Sequence, residues 1–213
     1  MAPGPSCATR EHIERRLRGT VPGGDPLDAW VAGLTPEQTA ALREHLPAQF
    51  NRAAVMVPLV ERADGLTVLL TQRASHLKNH PGQISFPGGR IEPHDAGPWE
   101  AAVRETWEEI GLAPGFASRV GYLHDYAVLT GYLITPVVAI VRPGFTLALD
   151  RTEVDDVFEV PLEFVLDPAH HVPRTRKFAG HEFLTHDIPY GERHIWGATA
   201  AMLLNLAAKL EET

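Results

Sequence analysis

Two neighbouring segments constrain this chain most: a glycine turn, Phe86-Pro87-Gly88-Gly89, and the run Arg104-Glu105-Thr106-Trp107-Glu108-Glu109-Ile110-Gly111-Leu112. The second predicts a helix from near Pro98 to Gly111. Proline at the first helical position costs nothing, because its missing N–H would be an orphan there. Glycine just past the end is a common stop. At about 100° per residue, Trp99, Ala102, Val103, Thr106, Trp107 and Ile110 gather on one side, which is expected to face the core. Glu105, Glu108 and Glu109 share another arc, about 100° wide. Arg104 stands at its edge, four residues from Glu108 and from Glu100.

An acidic helix face in solvent is tolerated, since like charges at helical spacing cost only a few tenths of a kcal/mol. In a cleft the balance changes. Two carboxylates ~6 Å apart at an effective dielectric of ~20 repel by roughly 3 kcal/mol. Either a raised pKa or a bound cation must offset that. Carboxylate oxygens are hard ligands suited to Mg²⁺ or Mn²⁺. Acids late in a helix also oppose its dipole. A local cost without local gain is where function is expected, although on the three glutamates alone a solvated face stays open. Gly88 and Gly89 allow the backbone to approach the helix or a ligand closely.

The 213 residues suffice for one domain with a good core. A net charge of −8 argues against a nucleic-acid scaffold but leaves room for a phosphorylated small molecule. Cys7 is the single cysteine, which excludes an intramolecular disulfide and fits a reducing compartment. The apolar runs Ala53–Val60 and Leu133–Val141 are too short to span a bilayer. Met1-Ala2-Pro3-Gly4-Pro5 lacks a signal-peptide pattern, so a cytoplasmic protein with no membrane partner is expected.

Residues 1–50 read as a helical extension. Short helices are expected at Glu11–Arg18, from Asp25 to Gly33, and after Thr35, where Thr35-Pro36-Glu37-Gln38 forms a capping-box pattern. The extension is open to covering the sheet, building a homodimer contact, or neither. Strands follow at Ala53–Val60 and Leu66–Thr71, joined by Arg62-Ala63-Asp64-Gly65. Further strands are expected at Gln83–Phe86, Val120–Thr130, Leu133–Val141, Val157–Val160 and Phe183–Ile188. Helices are expected at Pro161–Leu166 and Ile195–Leu210, the latter with Ile195, Thr199, Met202, Leu203, Leu206 and Leu210 on one stripe. Strands flanked by separated helices suggest an α/β/α layered domain over residues 51–213.

With its glycine turn, the carboxylate helix resembles the Nudix hydrolase box. Arg104, Glu105, Glu108, Glu109, Gly111 and Leu112 match the second half of that pattern. The first half departs. Gly89 lies one residue too far upstream, Ala96 stands where Glu is usual with Asp95 beside it, and Thr106 replaces an apolar residue. That one-residue expansion resembles the coenzyme A pyrophosphatase branch. So does the upstream run Leu69-Leu70-Thr71-Gln72-Arg73-Ala74, Lys78, Gly82 and Phe86-Pro87-Gly88-Gly89, in which Lys78 stands where Arg is usual. Lysine keeps the charge but loses the planar fork. Val157–Leu162 and Ile195–Ala200 are similar to the same branch, and the resemblance covers about residues 50 to 206.

The resemblance implies a mixed sheet between helices and a metal-dependent pyrophosphatase that cleaves coenzyme A or its acyl derivatives to 3′,5′-ADP and 4′-phosphopantetheine. It implies Glu105, Glu108 and Glu109 as ligands of Mg²⁺ or Mn²⁺, with the Gly89 carbonyl joining them. Arg104 orients a carboxylate. Glu153 and Glu105 are rivals for the general base. Arg73, Lys78, His80, Gln83, Phe86 and Gly88 are expected to meet the small-molecule nucleotide substrate. Arg174, Arg176 and Lys177 read first as a solvated loop, with the 3′-phosphate of coenzyme A as the alternative. His76 and His80 lack the helix and the intervening Glu of a zinc motif. His170, His171, His181, His186 and His194 read as surface or supporting groups, and Trp99 and Trp107 as core. The rival functions are a Nudix enzyme for another nucleoside diphosphate derivative and a non-catalytic nucleotide sensor.

Overall fold

A computed structural model describes residues 8–27 and 34–211 of the chain. Helix α1 (Arg10–Leu17) and helix α2 (Pro36–His45) precede the first strand. Thr35 caps α2 as the sequence predicts: its hydroxyl accepts from Gln38 N–H and the Gln38 side chain accepts from Thr35 N–H. The helix expected from Asp25 to Gly33 runs mostly outside the described residues. Within them, the Asp25 carboxylate accepts from Leu27 N–H at 3.0 Å.

The main sheet is mixed. Strand β1 (Asn51–Arg62) runs parallel to β7 (Tyr132–Val141) along its length. On its other edge β1 pairs antiparallel with two strands in succession, β4 (Gly88–Arg90) against Ala53–Val55 and β2 (Gly65–Arg73) against Leu59–Arg62. Strands β3 (Ile84–Ser85) and β8 (Val154–Pro161) flank β2, while β5 (Ala117–Tyr122) and β6 (Tyr126–Val128) flank β7. Because side chains alternate across a strand, the sheet presents two apolar faces. Ala54, Met56, Val60, Val137, Ala139 and Val141 pack with Ala101, Ala102 and Ile110 of α3 (Pro98–Ile110). Val57, Leu59, Val68, Leu70, Val138 and Ile140 pack with α1, α4 (Leu162–Leu166) and α5 (Gly197–Glu211). The result is the expected α/β/α arrangement with a mixed sheet.

Three sequence expectations need correcting. Val120–Thr130 is not one strand. It breaks between β5 and β6, where Leu123 N–H bonds to the carbonyl of Pro136, a residue with no N–H to return. The buried Asp125 then leaves the ladder to accept from the Thr135 hydroxyl at 2.7 Å. Residues Val172–Phe178 form strand β9, which pairs with β10 (His181–Tyr190) and, through it, β11 (Arg193–Ile195) in a second, antiparallel sheet. The solvated Pro-Arg-Thr-Arg-Lys stretch hides that strand, because it shows no apolar alternation. Ile195 belongs to β11, and the last helix starts two residues later. Among the described residues no helix is long and apolar enough to cross a membrane.

Candidate active site

The glycine turn and α3 meet where β4 replaces β2 beside β1. Gly88 has φ 150, and a Cβ there would lie 2.6 Å from Val55 Cα. At Gly89 a Cβ would stand 2.5 Å from the Glu105 carboxyl carbon. Glycine at both places lets the turn lie flat on β1 and against the acidic helix. The Gly88 N–H donates to Glu109 Oε2 at 3.1 Å.

Helix α3 spans Pro98–Ile110, with Gly111 left-handed at its end. The buried face is rotated from the expected one. It comprises Ala101, Ala102, Thr106, Glu109 and Ile110. Trp107, expected in the core, is exposed, because it lies about 100° round from Thr106. Thr106 fits the core by donating its hydroxyl to Ala102 O at 2.6 Å. Glu109 is therefore a buried carboxyl, Glu105 is partly buried and Glu108 is exposed.

The charges differ accordingly. Burial pushes the Glu109 carboxyl up to about 8; the Gly88 N–H and Arg73 pull it down, and Glu153 and Glu105 push it further up. Burial also raises Glu105, against the pull of Arg104, and Glu108 and Glu153 add to the rise. Glu153, from the loop before β8, therefore faces the same space as Glu105 and Glu109.

Arg104 organises the cluster. Its Nε and Nη2 donate to the two oxygens of Asp95 at 3.1 and 2.9 Å. Nη2 also meets the Arg90 carbonyl, and Nη1 donates to Glu105 and to Glu108, each at 3.0 Å. The bidentate partner is thus Asp95, which sequence reasoning noted only as the neighbour of Ala96. Its signal was the one-residue expansion of the loop. The Arg104 guanidinium holds the Asp95 carboxyl below its ordinary value.

The donor set fits a hard divalent cation: three carboxylates and a peptide carbonyl, two of the carboxyls raised by burial and mutual repulsion that a cation would relieve. Among the described residues no three His, Cys, Asp or Glu side chains converge as a metal-ligating group. Arg104 draws Glu105 and Glu108, and Glu109 turns to Gly88.

Of the expected substrate-binding residues, Arg73 ends β2 close enough to Glu109 to shift its carboxyl. Its Nε is buried and has no hydrogen-bond partner among the described residues. Lys78 and His80 lie on the exposed β2–β3 loop, and His80 hydrogen-bonds with the Gln83 side chain. His76 bonds instead to Thr152 O, so the two histidines have different partners. Phe86 is a correction. It is buried in the main core, so its side chain anchors the turn and does not face a ligand. Beside Gln83 opens a cleft of about 620 Å³, lined also by Gln72, Arg193, His194 and Trp196. Sequence reasoning did not place His194 or Trp196 there, because strand β11, which carries His194 and ends just before Trp196, gave no signal.

The sequence profile described as NUDIX domain matches residues 50–180. Over 161 residues the chain is 38% identical to the uncharacterized Nudix hydrolase NudL of Enterobacter sp. (strain 638), covering 75% of this chain and 83% of the relative. NudL of Escherichia coli (strain K12) is 37% identical with the same coverage. Among solved structures, DR0079 from Deinococcus radiodurans is similar at 12% identity and a TM-score of 0.48, over 82% of this chain and 88% of that one. A C. elegans Ap4A hydrolase is similar at 21% identity and a TM-score of 0.45, over 52% and 80%. The profile match over the glycine turn and carboxylate helix, together with the two NudL relatives, means that the chain belongs to the Nudix hydrolases, a family of pyrophosphohydrolases that act on nucleoside diphosphate derivatives and generally use divalent metal ions.

Proposed function

We propose that this protein hydrolyses the pyrophosphate of coenzyme A or acyl-coenzyme A, giving 3′,5′-ADP and (acyl-)4′-phosphopantetheine. The observation that carries the reading is the place of the upstream segment. Within the run Leu69–Ala74, Arg73 ends β2 near Glu109, and the unpartnered Arg73 Nε calls for an acceptor that a substrate phosphate supplies. Glu105, Glu108, Glu109 and the Gly89 carbonyl would hold Mg²⁺ or Mn²⁺. Such an ion neutralises phosphoryl oxygens and lowers the pKa of a water.

Pyrophosphate cleavage leaves little covalent work for the protein, so positioning and charge are most of the task. Arg104, fixed by Asp95, sets the directions of Glu105 and Glu108. Gly88 fixes Glu109. Glu153 is the general base in this reading, since it is exposed and faces the buried carboxyls without a hydrogen bond to Arg104. Glu105 is the rival, and its tie to Arg104 counts against it.

The test is turnover of coenzyme A with Mg²⁺ and with Mn²⁺, products identified by mass, for wild type and Glu108→Gln. Glu108 is exposed, so its replacement reads on chemistry and not on stability. The expected result is 3′,5′-ADP and phosphopantetheine, with activity at least about tenfold lower in the variant. Cleavage of a different nucleoside diphosphate alone would move the substrate; binding without turnover would make the protein a sensor.

A further inference from the structure

Strand β9 carries Arg174 and Arg176 two residues apart, hence on one face of the second sheet, with Lys177 on the other. Lys177 pairs with Glu182 in solvent. Arg174 and Arg176 turn instead to Asp187 on β10, whose side chain is only 3% exposed. Arg176 Nη2 donates to it at 2.8 Å, Arg174 Nε stands 3.5 Å away, and His194 Nε2 donates at 2.9 Å from β11. Two guanidinium charges thus meet a single carboxylate, which leaves a local positive excess in a chain of net charge −8.

That ledge borders the 620 Å³ cleft, to which His194 and Trp196 both contribute. The Arg176 guanidinium lies 5.0 Å from the Trp196 ring centroid, so a cation backs an indole that is itself a cleft wall. Gln72 and Gln83 supply amides. Arg193 is committed to Asp156 at 2.6 Å and to the face of Phe158. Glu192 also lines the cleft and repels an anion beside it, so the negative charge is assigned to His194 and the arginines behind it. Gly82 and Gln83 on the cleft wall are backbone-bonded to Arg73, whose charge reaches the Glu109 carboxyl. Its volume lies in the range of small-ligand sites.

We propose that this cleft binds a nucleoside that carries a phosphate monoester in addition to the scissile pyrophosphate, with the base on Trp196 and the monoester at Arg174, Arg176 and His194. The assignment deepens the coenzyme A reading and takes its substrate from it. If Asp187 served only to tie the second sheet together, one arginine would balance its charge. The second, held at 3.5 Å and more than half exposed, is free to meet a ligand oxygen.

The test is calorimetric binding of adenosine 3′,5′-bisphosphate and of 5′-AMP to the full chain, without metal, for wild type, Arg174→Ala and Trp196→Leu. Wild type is expected to hold the bisphosphate about tenfold more tightly, as one charge-assisted contact provides. Arg174→Ala closes that gap by weakening the bisphosphate. Trp196→Leu weakens both ligands by about tenfold, the scale of one lost base stack. Equal affinities in wild type, or a gap that survives Arg174→Ala, overturns the assignment. Thermal melts of both variants exclude unfolding as the cause. The substrate reading is tested separately: a preserved gap with no turnover of coenzyme A sinks the substrate and keeps the cleft, and turnover without a gap does the reverse.

Discussion

Glu109 shows what a single residue contributes here. Of the three glutamates on α3 it is the one that the fold buries, and its carboxyl is pushed up to about 8 where 4.5 is ordinary. A carboxyl raised in the folded state contributes stability that is fully present below pH 4.5 and is lost as the pH rises through about 8. A divalent cation substitutes for the lost proton. Without metal, the melting temperature is expected to fall between pH 5 and pH 9, and Mg²⁺ is expected to raise it more at pH 8.5 than at pH 5.5. In Glu109→Gln both trends flatten. A Mg²⁺ shift independent of pH would remove Glu109 from the metal's ligands. Asp95 yields a second prediction. Asp95→Asn loses the charged fork that fixes Arg104, and kcat/KM on the turned-over substrate is expected to drop by about ten- to hundredfold. A variant within twofold of wild type would show that Arg104 holds its direction through Arg90, Glu105 and Glu108 alone.

The glycine turn and α3 form one functional element, since each makes sense only against the other. The Gly88 N–H serves Glu109, and the space at Gly89 is filled by Glu105. Gly88→Ala is expected to cost about 1–3 kcal/mol from its backbone conformation alone, with the collision on Val55 added. A urea titration reads this as a lower midpoint, and an unchanged midpoint would mean that the turn can shift off β1. The helix bounds, the acidic arc and the need for two glycines were legible in the sequence, because Pro98, Gly111 and the residue periodicity encode them locally. What was not legible is which way the helix rolls. Trp107 and Glu109 stand about 200° apart, on opposite margins of the apolar stripe, and the sheet beneath decided to bury the acid and expose the indole. Asp95 and the Arg174–Asp187–His194 group were hidden for a related reason. Their partners are set by loop path and by pairing between strands, which no local pattern records.

At the scale of the whole molecule, residues before β1 carry an expectation that the packing sharpens. Ile13 and Leu17 of α1 are fully buried and share one apolar cluster with β1, β2, β7 and α5. The helix is also tied by hydrogen bonds: His12 Nε2 donates to Leu210 O at 2.9 Å, and Arg16 Nε to Lys209 O at 3.0 Å. Thr20, just beyond it, accepts from Tyr122 N–H at 2.8 Å. At Gly121 a Cβ would meet the Leu17 side chain at 2.8 Å, so β5 gives up a side chain to let α1 approach. An appendage would not be built in this way. Leu17→Ala is therefore expected to destabilise the whole fold by about 2–5 kcal/mol, the cost of a buried leucine cavity. The decisive reading is cooperativity. If α1 belongs to the core, far-ultraviolet dichroism and tryptophan fluorescence, to which Trp99 and Trp107 of α3 and Trp196 beyond β11 contribute, shift to the same lower urea midpoint. If α1 is a separate unit, the fluorescence midpoint stays at the wild-type value while only a fraction of the helical signal is lost early.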